Sequence, residues 1–208
     1  MSLLVALRCL DLSNCDWGDG GGGLLCGLKG AHLPRLAEIN LTMDIEHEEA
    51  SDGVNNASVC HLAREFPGLQ SLDVTGNHGV GDLSLKRLAQ LSSGLITLGL
   101  QGTSVSSKAL VRWLPKLPRL RRLAIGGLCN GLEISPAQLM ALVTGCSQLD
   151  ALDYEEDVGY QEDRIAYGGL WVDEAAQSFM AERRRARACA GDIALPPFAW
   201  SDEAANHC

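Results

Sequence analysis

Cysteine is the residue type whose abundance most suggests chemistry in this chain, because eight cysteines occur in 208 residues. Cysteines at short, regular spacing bind zinc, and an even number can pair as disulfides. Here they lie far apart with no CxxC pair, at positions 9, 15, 26, 60, 129, 146, 189 and 208. Several of them occupy apolar positions of the repeat described below, and we interpret the cysteines as reduced residues that act as small hydrophobic side chains. This interpretation predicts no metal site and favours an intracellular reducing compartment, cytoplasmic first and organellar second.

Histidine is the usual general base of a nucleophilic site, and the chain has five histidines, at 32, 47, 61, 78 and 207. None of them follows a recognisable nucleophile or zinc signature. Paired carboxylates occur only inside acidic runs, where solvation explains them. We therefore predict no catalytic residue, no cofactor and no enzymatic activity.

Two loop segments have compositions that could bind a ligand. Gly20 to Gly23 resemble part of a phosphate-binding loop but lack its Lys and Ser or Thr, so a flexible connector is the favoured interpretation. An acidic insertion over 44–49 contains Asp44, Glu46 and His47. A metal or basic-peptide site is one interpretation of it, and a solvated loop is the favoured one.

The elements that position these residues follow from an internal repeat, L-x-x-L-x-L-x-x-N/C, which occurs six times at near-regular intervals. Its two central apolar residues point the same way from an extended strand, and the residues between them point the other way. The matches are Leu7-Leu10-Leu12-Cys15, Leu36-Ile39-Leu41-Asp44, Leu69-Leu72-Val74-Asn77, Leu95-Leu98-Leu100-Thr103, Leu120-Leu123-Ile125-Leu128 and Leu149-Leu152-Tyr154-Asp157. An Asn at the last position can satisfy backbone groups where the chain leaves the strand.

Helix signals alternate with these strands. Ser135 and Gln138 form a capping-box pattern around Pro136, and Ser106, Asp82 and Ser58 precede other apolar segments. A strand-turn-helix unit buries its apolar side only when units stack. The sequence therefore predicts an α/β leucine-rich-repeat solenoid of about six repeats.

The phrases LRCLDLSNC, VGDLSLKRLAQ and TGCSQLDAL resemble leucine-rich repeats of the ribonuclease-inhibitor-like class, in the cysteine-containing variety associated with F-box proteins. The resemblance covers about residues 3–157. It implies an arc with parallel strands inside and helices outside. It also implies an alternative function, substrate recognition in a ubiquitin ligase, although no F-box precedes the first repeat.

The pattern changes after the sixth strand, where an acidic run is followed by a helix that begins acidic and ends in RRRAR. That order complements the helix dipole, and a capping helix is favoured over a nuclear-import patch. We predict a repeat array over 1–165, a capping helix over 166–190 and an irregular tail over 191–208.

The net charge of −9 argues against nucleic acid and anionic membranes as partners, and no segment could insert into a membrane. We therefore predict a non-catalytic interaction or scaffold subunit in a hetero-oligomeric complex, with a protein partner whose surface is basic. The strip of residues between the core positions lacks aromatic or arginine side chains, so the ends of the array are favoured as contacts. The predicted partner-binding residues are Leu3, Leu4, Val5, Asp153, Glu155, Glu156, Arg184, Arg185, Phe198 and Trp200.

Overall fold

The computed structural model describes residues 6–15, 28, 33–43, 54–126, 134–155 and 174–189. Six short parallel strands form one sheet, in which strand order follows chain order. The strands are β1 Cys9–Asp11, β2 Glu38–Asn40, β3 Ser71–Asp73, β4 Thr97–Gly99, β5 Arg122–Gly126 and β6 Ala151–Glu155. The two predicted ligand loops, at 20–23 and 44–49, lie outside the described residues.

Equivalent residues of successive repeats lie side by side across the sheet. One row runs through Leu10, Ile39, Leu72, Leu98, Leu123 and Leu152. A sheet that gains one parallel strand per repeat is the α/β solenoid that the sequence predicts, and the fold class is confirmed.

Helices connect the strands. They are α1 Asn56–Glu65, α2 Asp82–Leu91, α3 Ser107–Trp113, α4 Pro136–Gly145 and α5 Glu174–Cys189, and a short 3-10 helix, Leu114–Lys116, continues α3. The Ser135–Gln138 capping box and the Ser106 cap form as predicted. The start signal at Ser58 is wrong, because Asn55 caps α1 instead and accepts hydrogen bonds from two backbone N–H groups of the first turn.

Some helix starts are capped by the preceding repeat. The Asn56 Oδ1 accepts hydrogen bonds from the Gly81 N–H at 3.0 Å and the Ser84 N–H at 3.1 Å, at the start of α2. The Asp82 carboxylate in turn accepts from the Ser106 N–H at 2.7 Å. Asp82 is thus the first residue of α2 and not its cap, and these bonds join neighbouring repeats.

The core lies between the sheet and the helices. Buried side chains from both form one continuous cluster, so the helices cover one face of the sheet. We call the other face, which bears exposed Asp11 and Asp153, the open face.

The turn after β3 shows how a polar residue is accommodated beside this core. Asn77, only 3% exposed, donates to the Leu41 carbonyl at 2.7 Å and the Val74 carbonyl at 3.1 Å, and accepts from the Val54 N–H at 3.2 Å. The predicted role of this repeat position is confirmed at Asn77. Gly76 enters the same turn at φ +78°, and a Cβ there would lie 2.0 Å from the Met43 carbonyl oxygen. Only glycine suits that position.

Candidate protein-binding surfaces

Two rows of side chains cross the open face, because residues before and after each core leucine point away from the core. The first row contains Cys9, Glu38, Ser71, Thr97, Arg122 and Ala151. The second contains Asp11, Asn40, Asp73, Gly99, Ala124 and Asp153. The second row is therefore acidic or amide-bearing towards both ends and small in the middle, whereas the first row carries both Glu38 and Arg122.

Three of the four polar members of the second row, Asp11, Asn40 and Asp73, are fixed by their own backbone. Each accepts a hydrogen bond from the N–H two residues later: Ser13 to Asp11 at 2.9 Å, Thr42 to Asn40 at 3.0 Å and Thr75 to Asp73 at 2.9 Å. The Asp73 carboxylate also occupies the space above Gly99, where a Cβ would lie 2.3 Å from its Oδ1. These side chains are held in place before any partner binds.

Among the described residues of the two rows, Arg122 is the one cation. It lies in register between Thr97 and Ala151, and its side chain is partly exposed. Burial, and next the neighbouring charge of Arg121, lower the pKa of its guanidinium, which still stays charged at neutral pH. Among the described residues no hydrogen bond or ion pair engages this guanidinium, because the nearby Asp150 binds Arg121 and Arg187 instead, each at 2.5 Å.

The helical side carries a second concentration of positive charge. Trp113 is half-buried at the end of α3, and three cations lie around its ring. Lys116 Nζ lies 4.1 Å from the centroid of the Trp113 ring, Arg112 Cζ lies 5.0 Å from it and Lys86 Nζ 5.8 Å. We call these four residues the Trp113 cluster. Within the described part of the chain, none of its three cations forms an ion pair.

Helix α5 lies against the last repeat through two arginines. Arg183 donates to the carbonyls of Cys146 at 2.6 Å and Val143 at 2.9 Å, at the end of α4. Arg187 binds Asp150 and the carbonyls of the turn that precedes β6. Arg121 pairs with Asp150 in the same network. Cations are thus placed where the carbonyls of α4 have no helical partner.

The structure places the predicted partner-binding residues in separate regions. Asp153 is exposed on β6, where it accepts a hydrogen bond from Gln101 at 3.4 Å, and Arg184 and Arg185 are exposed on α5. No described contact joins Asp153 to either arginine. The side chain of Glu155 and the residues Leu3, Leu4, Val5, Glu156, Phe198 and Trp200 lie outside what the structure describes. Neither Arg122 nor the Trp113 cluster is among the partner-binding residues predicted from the sequence.

At the β1 edge, the apolar residues of the first repeat are less protected than their counterparts. Leu10 and Leu12 are partly buried, whereas Ile39 and Leu41 beside them are 0% exposed.

The described cysteines are free thiols, and two of them, Cys60 and Cys146, are buried. Burial raises the pKa of Cys146 to about 12 and outweighs the opposing charge of Arg183. The pKa of the exposed Cys9 is also raised, by partial burial and then by Glu38. Both thiols are protonated at neutral pH and therefore weak nucleophiles.

The sequence argues against a metal site and against a membrane-spanning helix, and both can be checked in the described part of the chain. No cluster of three or more His, Cys, Asp or Glu side chains there could hold a metal ion. None of the described helices has the length and apolar character needed to cross a bilayer.

Comparison with known proteins finds no matching family model and no matching curated protein. Among solved structures, leiomodin-1 actin-binding site 2 is similar with a TM-score of 0.48 and 14% identity, over 68% of this chain and 80% of that one. The C-terminal domain of Caenorhabditis elegans tropomodulin gives a TM-score of 0.47 and 10% identity, over 89% and 91%. Likeness at this distance transfers neither partners nor residue roles.

These comparisons correct the family resemblance drawn from the sequence. The assignment to the ribonuclease-inhibitor-like, F-box-associated class is wrong, because no family model matches and the similar structures are leiomodin and tropomodulin domains. The physical reason is that L-x-x-L-x-L encodes which side chains of a strand enter the core. That requirement is shared by solenoids of different families and does not distinguish among them.

Proposed function

We propose that this chain is a non-catalytic protein-binding module of a larger hetero-oligomeric assembly, and that its open face binds the partner. The observation that supports this most directly is Arg122, a partly buried guanidinium that no described residue pairs, beside the small residues Gly99 and Ala124. Arginine is enriched among the residues that dominate interface energetics, and a planar guanidinium binds a carboxylate with two parallel hydrogen bonds.

The partner that we propose is a protein with a mainly basic surface and one carboxylate opposite Arg122. Asp11 and Asp153 are exposed towards the two ends of the face, and the chain carries a net charge of −9. Opposite charge on a partner accelerates association and fixes its orientation. Because the hydrogen bonds to Asp11 and Asp73 already fix those carboxylates, little side-chain entropy is lost when the partner binds.

Other parts of the proposal rest on the sequence. The absence of a nucleophile or zinc signature near any histidine supports a non-catalytic role. The free, buried Cys60 and Cys146 support an intracellular reducing compartment. The ubiquitin-ligase alternative depended on the family resemblance that the comparisons contradict, and it is dropped.

The test compares Arg122→Ala with Arg119→Ala, a matched loss of one exposed arginine outside the sheet. Affinity purification from the native source with mass spectrometry identifies the partner, and calorimetry then measures its Kd. We expect Arg122→Ala to weaken binding about 30-fold, the effect of a hot-spot residue worth about 2 kcal/mol, and Arg119→Ala to leave it unchanged. An unchanged Kd for Arg122→Ala contradicts binding at the open face. Failure of the wild type to retain any stoichiometric partner contradicts the module itself.

A further inference from the structure

The Trp113 cluster, on the helical side of the solenoid, is separate from the open face. It brings residues of two adjacent repeats together, because Lys86 belongs to α2 while Arg112, Trp113 and Lys116 belong to α3 and the 3-10 helix. Leu83, one turn before Lys86 on α2, is 50% exposed. The surface therefore combines three cations with two apolar side chains that water reaches.

The electrostatics of this cluster are incomplete within the described chain. Three positive charges around one ring repel each other, and the negative face of the indole offsets only part of that repulsion. An ammonium above a ring also keeps N–H donors that point away from the ring and can reach an acceptor. Because no described carboxylate pairs with Lys86, Arg112 or Lys116, these donors are available to a ligand.

We infer that the Trp113 cluster is a second docking site, which binds an acidic segment of a protein partner through carboxylates on its three cations and an apolar side chain on Trp113. Charge complementarity identifies the occupant. The net charge of −9 opposes the approach of long polyanions such as RNA, whereas a short acidic segment meets mainly the local positive field. The exposed part of Trp113 favours a ligand that also carries an apolar side chain.

The experiment measures anisotropy of a fluorescein-labelled peptide of Asp and Glu with one Leu, titrated with the full chain. Its control is the same peptide with Asn and Gln in place of the acids. The test variant is Lys86→Glu/Arg112→Glu/Lys116→Glu, and the matched variant is Arg35→Glu/Arg64→Glu/Arg119→Glu. The matched variant changes the net charge equally at three exposed cations that the Trp113 cluster does not include.

We expect the wild type to bind the acidic peptide and not its neutral counterpart, with affinity that falls as salt rises. The test variant should bind at least about tenfold more weakly, and the matched variant within about threefold of the wild type. Trp113→Phe should remove the change in tryptophan fluorescence that accompanies binding.

Several results would overturn the inference: equal losses in both triple variants, equal binding of the two peptides, or no binding of the acidic peptide at all. Tighter binding to RNA or to phosphatidylserine vesicles would overturn the assignment to a protein segment. If the test variant loses its circular dichroism spectrum and is therefore unfolded, the single variant Lys116→Gln takes its place in the peptide titration, because that exposed side chain can change without disturbing the core. An unchanged Kd for Lys116→Gln then overturns the inference. The outcome is independent of Arg122 and the open face.

Discussion

Asn77 joins three backbone segments, and its replacement by alanine tests how neighbouring repeats are held together. Its amide donates to the carbonyls of Leu41, Val74 and Thr75 at 2.7, 3.1 and 3.2 Å and accepts from the Val54 N–H at 3.2 Å. Each such bond contributes about 1 kcal/mol net, and a buried group left without a partner costs more. We therefore expect Asn77→Ala to lower the free energy of unfolding by about 3 kcal/mol. For a chain of this size the melting temperature should fall by about 6–12 °C.

Urea denaturation followed by far-UV circular dichroism measures this loss. Gln70→Ala, an exposed control on the same repeat, should stay within about 0.5 kcal/mol of the wild type. Thr103→Val removes a hydroxyl that donates to the Leu100 carbonyl at 2.7 Å at the equivalent position, and should cost about 1 kcal/mol. If Asn77→Ala costs no more than Thr103→Val, the bonds that Asn77 makes to Leu41 and Val54 do not stabilise the array, and the reasoning fails.

Two further predictions concern the last repeat. Arg183→Ala should destabilise the protein by about 2 kcal/mol in thermal melts, since its guanidinium bonds the carbonyls at the end of α4, whereas the exposed Arg184→Ala should change little. Equal effects of the two would contradict the contact. Because burial raises the pKa of Cys146 to about 12, the folded chain keeps a proton that the unfolded chain loses above its ordinary value of 9.0. The contribution of this thiol to the free energy of unfolding is therefore complete below pH 9 and is lost as the pH rises from 9 towards 12. In urea denaturation, the difference in free energy of unfolding between the wild type and Cys146→Ala should shrink above about pH 9. A difference that does not change with pH would count against this.

The repeat pattern was sufficient to predict the sheet. A strand forces alternate side chains to opposite sides, so the apolar pair in each L-x-L had to face the core together, and Ile39, Leu72 and Leu98 do so in one row. The Ser135 capping box was equally predictable, because all of its atoms lie within one turn of helix. Helix caps that a neighbouring repeat supplies could not be predicted in this way. The Asp82 carboxylate reaches Ser106 only because the two repeats stack, and the sequence placed it as the cap of its own helix.

The candidate surfaces likewise combine a feature that the sequence could predict with features that depend on how neighbouring repeats pack. Arg122 could have been assigned to the open face, because it precedes the core residue Leu123 and must point away from it. Arg122 has no partner among the described residues because Asp150 pairs with Arg121, and the sequence positions of the two arginines do not determine which of them Asp150 binds. The approach of Lys86 to Trp113 joins two repeats, and only the packing of α2 beside α3 brings them together.

The separation of charge between the two sides changes what the net charge means for binding. The net charge of −9 is a sum over the whole chain, and taken alone it predicts one partner with a basic surface. In a solenoid the strand side and the helical side face opposite directions. Charges on the two sides that lie about 10 Å or more apart are largely screened from each other at physiological salt. A partner at the open face therefore responds to Asp11, Asp153 and Arg122, whereas a partner at the helical side responds to the cations around Trp113. An acidic chain can on this basis bind an acidic segment and a basic surface at the same time.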